Sequence, residues 1–350
     1  MIAPRRPEPA PPRKVLIIKP SALGDVVTAL PVLRGLRRTF PAAHVSWLLS
    51  TPCAPLLAED GDLDEVVPFD RRRMGRAWRS LSAARLLADF LAALYRGGLD
   101  WVIDLQGLFR SGFFARATGA PVRAGFADAR EGAWVFYTHR HRAAERHTVD
   151  RNIGLARSLG IDARREDMTL EPTPAGREFA EQFRRRLGPA GGDFLVFVPP
   201  TRWPTKCYPL RHWRRLAETL ARRMPVAVLG TKSDRPLCAR IADAAGPGAV
   251  NLAGETTIPQ MVGLIASSAC VVCCDSAAQH IAQAVDVDVV TLIGPTRPER
   301  TGPLIRGRSV VADVPCQGCL RRRCRHSTCM QVIAPETVVS VVEGLLDQRG

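Results

Sequence analysis

Short continuous runs of apolar residues alternate along the chain with longer stretches in which apolar residues recur every three or four positions. The first run is KVLIIK at 14–19, and VVTALPVLRGLRRTF connects it to a second run, HVSWLL. Continuous β-branched runs are typical of parallel strands covered on both faces, and the wider spacing is typical of amphipathic helices. DEVVPF, a helix over 76–95 and WVIDLQG continue the series. The first half therefore predicts a doubly wound α/β sheet.

The same alternation returns near residue 193. Strands are predicted at DFLVFVPP, PVAVLGT, AVNLAGE, ACVVCCD and DVVTLIG, and helices over 210–224, 234–245, 258–267 and SAAQHIAQAV. The intervening EPTPAGREFAEQFRRRLGPAGG mixes Pro, Gly and charge, so we place a domain boundary near residues 172–192. The prediction is a disordered N-terminal lead at 1–13, one Rossmann-like domain at 14–180 and a second at 190–350 with a cysteine-containing tail.

The composition is consistent with two domains, and it also shows that the chain carries a large positive net charge. The chain has 350 residues, 46% of them hydrophobic, which is enough for two buried cores. Its 49 basic and 34 acidic residues leave a net charge of +15, which indicates an anionic partner: nucleic acid, an acidic membrane face or a phosphorylated ligand. A nucleic-acid-binding module would normally add aromatic stacking or a reading element, and the chain has three tyrosines and no such motif. That class is therefore disfavoured.

Neither a spanning helix nor a signal peptide is predicted. No stretch approaches the roughly 20 apolar residues that cross a bilayer. Residues 1–13 are rich in Pro and Arg and lack the apolar centre of a signal peptide. The sequence predicts a cytoplasmic protein that is soluble or at most peripheral to a membrane.

Ligands of an open parallel sheet bind beyond the carboxyl ends of its strands, so the loops there are the candidate sites. The first such loop contains Lys19, Ser21 and Asp25, with one glycine and one carboxylate. It lacks the three glycines of a dinucleotide site and the Gly-Lys-Ser/Thr of a phosphate loop. Taken alone, Asp25 is best explained as a helix cap. Arg130 lies in a later polar loop of the same half.

Two loops of the second half have the composition of a phosphate site. One carries two hydroxyls and two cations, with Thr201 and Lys206 among them. The other begins at Asp275 and starts a helix, whose free N–H groups favour an anion. His280 lies one helical turn after Ser276, so both side chains can face the same ligand.

These motifs, in this order, resemble the ADP-heptose:lipopolysaccharide heptosyltransferases, glycosyltransferase family 9. The resemblance spans roughly residues 14–340 and rests on KVLIIKPSALGDVVTALPVLRGLRRTFP, VIDLQGLFRSG, AGFADARE and CCDSAAQHIAQAVDVDVVTLIGPTRPERTGP. It implies a GT-B architecture, two Rossmann-like domains facing across a cleft, and an inverting transfer of heptose that needs no metal and no cofactor. The implied partners are a nucleotide-sugar donor, a lipid A core glycolipid acceptor and the anionic inner membrane at its cytoplasmic face, with no nucleic acid.

The resemblance also implies residue roles. Asp25 would be the general base that deprotonates the acceptor hydroxyl. The donor would be held by Thr201, Lys206, Asp275, Ser276, Ala277 and His280, and the acceptor by Lys19, Ser21 and Arg130. Pro200 stands where many members have a hydroxyl residue, so another nucleotide sugar or acceptor within the family remains an alternative. A basic nucleic-acid-binding protein is the alternative from a different class.

Four clustered cysteines near the end of the chain predict a structural element. They are Cys316, Cys319, Cys324 and Cys329. Four thiolates suit a closed zinc site, but one Cys-x-x-Cys followed by irregular gaps is a weaker signature than two repeated pairs. We expect a structural role, metal-bound or reduced and packed, rather than a catalytic one.

Two Asp-x-Asp spacings resemble metal-binding motifs. They lie at Asp62 and Asp64 and at Asp286 and Asp288, in turns that precede strands. Turn carboxylates of this kind are usually solvated, so neither is predicted to bind a metal.

Overall fold

The computed structural model describes residues 9–187 and 192–348 of the chain. The chain divides between Met168 and Thr169 into two compact units, each built on one six-stranded parallel sheet. Of the predicted disordered lead, residues 1–8 lie outside the described residues. Arg13 at its end is hydrogen-bonded, because its backbone N–H donates to the Asp100 carboxylate at 2.7 Å.

The first unit has the strand order β3-β2-β1-β4-β5-β6. Its strands are β1 Lys14–Ile18, β2 His44–Ser50, β3 Glu65–Phe69, β4 Trp101–Asp104, β5 Val122–Phe126 and β6 His139–His141. Its α-helices are α1 Leu23–Val27, α2 Leu30–Thr39, α3 Arg71–Met74, α4 Leu81–Arg96, α5 Phe109–Ala117 and α6 Thr148–Arg157, and 3-10 turns lie at Ala54–Leu56, Arg130–Phe136 and Arg165–Asp167. Strand β1 lies at the centre, with Leu16 opposite Ser46 of β2 and Val102 of β4.

The single amphipathic helix predicted by VVTALPVLRGLRRTF is two helices, α1 and α2. A turn at Thr28 and Ala29 separates them, and Pro31 lies in the first turn of α2. Proline lacks an N–H and fits the first turn of a helix, where that donor would have no partner, but not its interior. Leu33 and Leu36 of α2 are fully buried, as the apolar spacing predicts.

The second unit has the strand order β12-β11-β10-β7-β8-β9. Its strands are β7 Leu195–Val198, β8 Val226–Val228, β9 Ala249–Asn251, β10 Cys270–Cys274, β11 Val289–Ile293 and β12 Arg308–Val311. Its α-helices are α7 Pro174–Arg186, α8 Leu210–Leu220, α9 Arg235–Ala245, α10 Ile258–Ala266, α11 Ala277–Ala284, α12 Pro298–Thr301, α13 Thr328–Gln331 and α14 Pro335–Asp347, with 3-10 turns at Pro204–Lys206, Lys232–Asp234 and Gly246–Gly248. Strands β5, β6 and β12 are not among the predicted strands. β6 is short and polar and β12 is partly exposed, so neither shows a continuous buried apolar run.

Helix α7 belongs to the second unit, so the chain changes unit before the Pro- and Gly-rich segment that suggested a boundary at 172–192. The reason is a close contact between α7 and α10. A Cβ at Gly263 would lie 2.0 Å from the backbone oxygen of Gly176, so only two glycines allow this approach. The segment with a linker-like composition therefore contains α7, a helix that packs against α10 of the second unit.

None of the helices in the described parts of the chain combines the length and apolar composition that crossing a bilayer requires.

Candidate functional site

The two phosphate-site loops of the second half meet at the carboxyl edge of the second sheet. Strands β7 and β10 are hydrogen-bonded neighbours, so the loops that follow them lie side by side. Lys206 comes from the first loop and Asp275 from the second, and Lys206 Nζ lies 2.8 Å from Asp275 Oδ2. The sequence placed these residues in one site, and the structure joins them in an ion pair.

Asp275 is buried and multiply hydrogen-bonded. Gln279 Nε2 donates to Asp275 Oδ1 at 2.7 Å, and Thr301 Oγ1 donates to Asp275 Oδ2 at 3.4 Å. Burial alone would raise the pKa of this carboxyl, but the charge and hydrogen bond of Lys206 outweigh it and hold the pKa below its usual value. The carboxylate is therefore ionised at neutral pH and fixes the lysine beside the start of a helix.

The start of α11 presents the remaining predicted donor residues. Ser276 is its N-cap and Ala277 its first residue, so backbone N–H groups there lack partners within the helix. His280 is buried one helical turn after Ser276. Gln279 Oε1, also buried, has no hydrogen-bond partner among the described residues. This edge therefore combines a cation, a helix N-terminus and a free polar atom.

Thr201 lies in the Lys206 loop, but its hydroxyl is engaged locally, because Thr201 Oγ1 donates to the Trp203 carbonyl at 2.8 Å. The side chain of Trp203 adds a feature that sequence reasoning missed. Lys206 Nζ and the guanidinium carbon of Arg322 each lie 4.6 Å from the centroid of its ring. Trp203 thus brings together two cations that are distant in sequence.

Arg322 reaches this site because the cysteine-bearing loop packs on the two neighbouring loops. The Arg321 carbonyl accepts from Thr205 Oγ1 at 2.8 Å, and Leu320 N donates to the Pro295 carbonyl at 2.7 Å. Arg321 to Arg323 form one of the arginine runs of the sequence. No local pattern indicates which loop they contact, since Thr205 and Arg321 are 116 residues apart.

The candidate residues of the first unit surround the loop after β1. Asp25 is half-buried in the first turn of α1, and its Oδ2 accepts from the N–H of Ala22 at 2.9 Å. Asp25 is therefore not the N-cap of α1, which is Ala22, but the third residue of the helix, and its side chain accepts from the backbone N–H of the N-cap. Ser21 is half-buried beside it. The contact orients the carboxylate and uses one of its two oxygens.

Lys19 is placed differently from an exposed binding lysine. It is 6% exposed, and its Nζ donates to the Leu105 carbonyl at 2.7 Å. Burial lowers its pKa, and Asp25 and Arg130 act on that pKa in opposite directions. Asp25 and Arg130 therefore both lie within electrostatic reach of Lys19, which is buried, whereas Arg130 is exposed.

A buried carboxylate at the end of β4 also supports this group. Asp104, at the end of β4, accepts from Tyr137 Oη at 2.6 Å and from the N–H of Gln106 at 2.9 Å. Its burial raises its pKa above the usual value. The loop that it holds includes Gly107, whose carbonyl accepts from Arg130 N at 2.9 Å. Asp104 thus positions the backbone on which Arg130 rests.

Comparison with known proteins identifies the family of this pair of sites. The model of Glycosyltransferase family 9 (heptosyltransferase) matches residues 88–330. Lipopolysaccharide heptosyltransferase 1 of Pseudomonas aeruginosa is 31% identical over 89% of this chain and 88% of its own length. This chain belongs to glycosyltransferase family 9. It is a glycosyltransferase, as the motifs predict.

Solved structures agree with this family 9 assignment. The Escherichia coli ADP-heptose lipopolysaccharide heptosyltransferase II matches with a TM-score of 0.77 and 25% identity over 96% of this chain and 99% of that one. The Escherichia coli heptosyltransferase WaaC with ADP-2-deoxy-2-fluoro heptose matches with a TM-score of 0.75 and 25% identity over 95% and 99%. The predicted α/β fold of the GT-B glycosyltransferases is confirmed by this likeness.

The four clustered cysteines of this family 9 chain differ in their exposure to solvent. Cys316 and Cys319 are exposed, Cys324 is half-buried and Cys329 is buried. Burial raises the pKa of the Cys329 thiol, and the three other cysteines of the cluster raise it further. Among residues 9–187 and 192–348, no group of three or more His, Cys, Asp or Glu side chains is arranged to hold a metal ion.

The Asp-x-Asp carboxylates of the family 9 chain are paired with arginines. Asp286 is exposed as predicted, but Asp288 is buried, so the prediction that all four are solvated is wrong for Asp288. The pairs are Arg34 with Asp62, Arg37 with Asp64, and Arg306 with both Asp286 and Asp288. The arginines neutralise these carboxylates within their own units.

Proposed function

We propose that this family 9 glycosyltransferase transfers heptose from ADP-L-glycero-D-manno-heptose to the inner core of lipopolysaccharide. The relatives named lipopolysaccharide heptosyltransferase 1 support the acceptor. The solved Escherichia coli heptosyltransferase WaaC with ADP-2-deoxy-2-fluoro heptose supports the donor. The observation that carries the proposal is the Lys206–Asp275 pair beside the N-terminus of α11. A fixed cation and free backbone N–H groups at one sheet edge are suited to a sugar diphosphate.

The same edge supplies the charge stabilisation that the leaving nucleotide needs. Negative charge grows on ADP as the glycosidic bond breaks, and preorganised donors stabilise that charge most effectively. Lys206 is held ready by Asp275, and the dipole of α11 adds partial positive charge. We therefore propose that transfer proceeds without a divalent metal ion.

Asp25 is the proposed general base. Inversion at the sugar carbon takes one in-line attack, and that attack needs one base on the acceptor side. The hydrogen bond from Ala22 N fixes Asp25 Oδ2 and leaves the carboxylate half-buried rather than sealed in the core. Arg130, exposed on the loop that Asp104 supports, is the proposed contact for anionic groups of the acceptor.

The acceptor places the protein at a membrane surface. A lipid A core bearing Kdo, or Kdo and a first heptose, is anchored in the inner membrane, so we propose a peripheral location at its cytoplasmic face. Relatives named heptosyltransferase 1, 2 and 3 all match, and the proposal covers both inner-core acceptors.

The test measures ADP release with ADP-heptose and a series of truncated, soluble lipid A cores. Asp25→Ala and the isosteric Asp25→Asn are both expected to lower kcat by about a hundredfold or more while ADP binding stays within about twofold, since only the base is removed. Lys206→Met is expected to weaken ADP binding instead. Excess chelator is expected to leave turnover unchanged. Normal turnover of Asp25→Asn would show that another group is the base, and no ADP release with any core would refute the substrate assignment.

A further inference from the structure

The segment that runs from α3 to the first residue of α4 carries the two most exposed large apolar side chains of the described residues. Trp78 is 75% exposed and Leu81 is 92% exposed. Every exposed aromatic side chain of the described residues lies in the first unit, with Tyr95, Phe109, Phe113 and Trp134 as the others. Trp78 and Leu81 are three residues apart, and large apolar side chains exposed so close together in the chain are typical of a contact surface.

The exposed side chains project from a fixed base. Met74, at the end of α3, is buried in the core cluster that includes Phe69 and Leu94. The Asp70 side chain accepts from the N–H groups of Arg72 and Arg73 and caps α3. The segment is therefore anchored to the core of the first unit at Met74.

Basic residues are concentrated in the same segment of the chain. The segment has five exposed arginines, Arg71, Arg72, Arg73, Arg76 and Arg79. None of the five forms an ion pair with a carboxylate in the described parts of the chain. The guanidinium of Arg79 stacks on the ring of Trp78 at 3.8 Å from its centroid. We call residues 71–81 the Trp78 patch.

We propose that the Trp78 patch docks the protein on an anionic lipid bilayer. Trp78 and Leu81 enter the interfacial region, and the arginines lie against the headgroups. Tryptophan is favoured at the boundary between headgroups and acyl chains because its ring is apolar and its N–H polar. Clustered arginines add electrostatic attraction to anionic lipids, and stable attachment requires both contributions.

Charge complementarity decides the occupant of the patch. Five unpaired cations match a surface of many negative headgroups, and an aliphatic side chain such as Leu81 gains free energy only where acyl chains cover it. A single-stranded nucleic acid would instead be held by several aromatic platforms beside the cations, and this segment has only Trp78. The inference rests on the proposed function in one respect, since a lipid-linked acceptor gives the docking its purpose.

The test is sedimentation of the full-length protein with vesicles of phosphatidylcholine, with and without phosphatidylglycerol. The wild type is expected to bind only the anionic vesicles. Trp78→Ser with Leu81→Ser is expected to weaken binding about tenfold or more, because burial of one large apolar side chain is enough for that factor. Val332→Ser, at a half-exposed apolar residue of the second unit, is the matched control and is expected to bind as the wild type.

Arg72→Ser with Arg73→Ser is expected to weaken binding by a similar factor at low salt and to reduce its salt dependence. Each variant is checked for an unchanged unfolding midpoint, which exposed substitutions preserve. Wild-type binding by the Trp78 and Leu81 double variant would overturn the proposal, as would equal binding to uncharged vesicles or tighter binding to DNA. The Trp78 and Leu81 double variant is expected to have normal kcat and KM with a soluble short-chain acceptor. Failure of the transferase assay and failure of membrane docking are therefore separate results.

Discussion

The buried ion pair of the donor site allows a direct test of how burial sets the cost of breaking a salt bridge. Lys206 Nζ and Asp275 Oδ2 are 2.8 Å apart, and their side chains are 16% and 6% exposed. Arg235 Nη1 and Glu255 Oε1 of the same unit are also 2.8 Å apart, but their side chains are 54% and 43% exposed. The two pairs match in distance and differ in burial.

Lys206→Met removes the cation and leaves the Asp275 carboxylate buried. An uncompensated buried charge costs about 3–5 kcal/mol of stability, and we expect a loss in that range for the second unit. Arg235→Met is expected to cost about 0–1 kcal/mol, because water solvates the released Glu255. The assay is urea unfolding monitored by hydrogen exchange. Peptides that span β10 and α11 report the stability of the second unit alone.

The pH dependence of the loss gives an independent check. The pKa of Asp275 is lower in the folded protein than in the unfolded chain, so its pairing stabilises the fold above the unfolded pKa. That contribution is lost as the pH falls through the lower, folded value. In Lys206→Met the burial that remains raises the pKa of Asp275 instead, so the difference from the wild type is expected to shrink as the pH is lowered and the carboxyl takes up a proton.

Lys206→Met with Asp275→Asn removes both charges and keeps similar volumes, so it is expected to recover most of the stability. Gln279 and Thr301 remain as polar neighbours of the new amide. Equal costs for Lys206→Met and Arg235→Met would refute the argument that burial controls the energy. No recovery in the double variant would show that lost packing, rather than the unpaired charge, causes the effect.

Three further outcomes are expected. Gly263→Ala should destabilise the second unit by about 1–3 kcal/mol or more in urea unfolding, because the new Cβ overlaps the backbone of α7, whereas Gly344→Ala on the open side of α14 should stabilise it by about 0.5–1 kcal/mol. Arg322→Ala should raise the KM for the donor roughly tenfold with kcat little changed, and Arg325→Ala should not. Cys324 should be alkylated first by iodoacetamide and at lower pH than an ordinary thiol, because the N–H groups of Ser327 and His326 lower its pKa. Burial raises the pKa of Cys273 and Cys274, the last two cysteines of β10, so peptide mass spectrometry should find both unmodified.

Strands with a continuous apolar run were predictable from the sequence, because such a run indicates a strand that is buried on both faces. β1, β2, β7, β10 and β11 are continuous apolar runs that are buried as predicted. β6 carries only His139, Arg140 and His141 and shows no such pattern. Its identity as a strand depends on pairing with β5 at the edge of the sheet. A strand specified by its neighbour rather than by its own side chains is not visible in one sequence.

The same distinction applies to the sites. Loops after parallel strands converge because the sheet aligns them, so the sequence by itself indicated that Lys206 and Asp275 share an edge. Only the tertiary structure revealed that they form a buried ion pair, that Arg322 reaches Trp203, and that Trp78 is uncovered. These facts depend on contacts between segments far apart in the chain and on how much water each side chain retains. Local patterns carry chemistry and the burial of regular strands and helices, whereas the burial of single loop side chains and their long-range partners are settled only by tertiary packing within each unit.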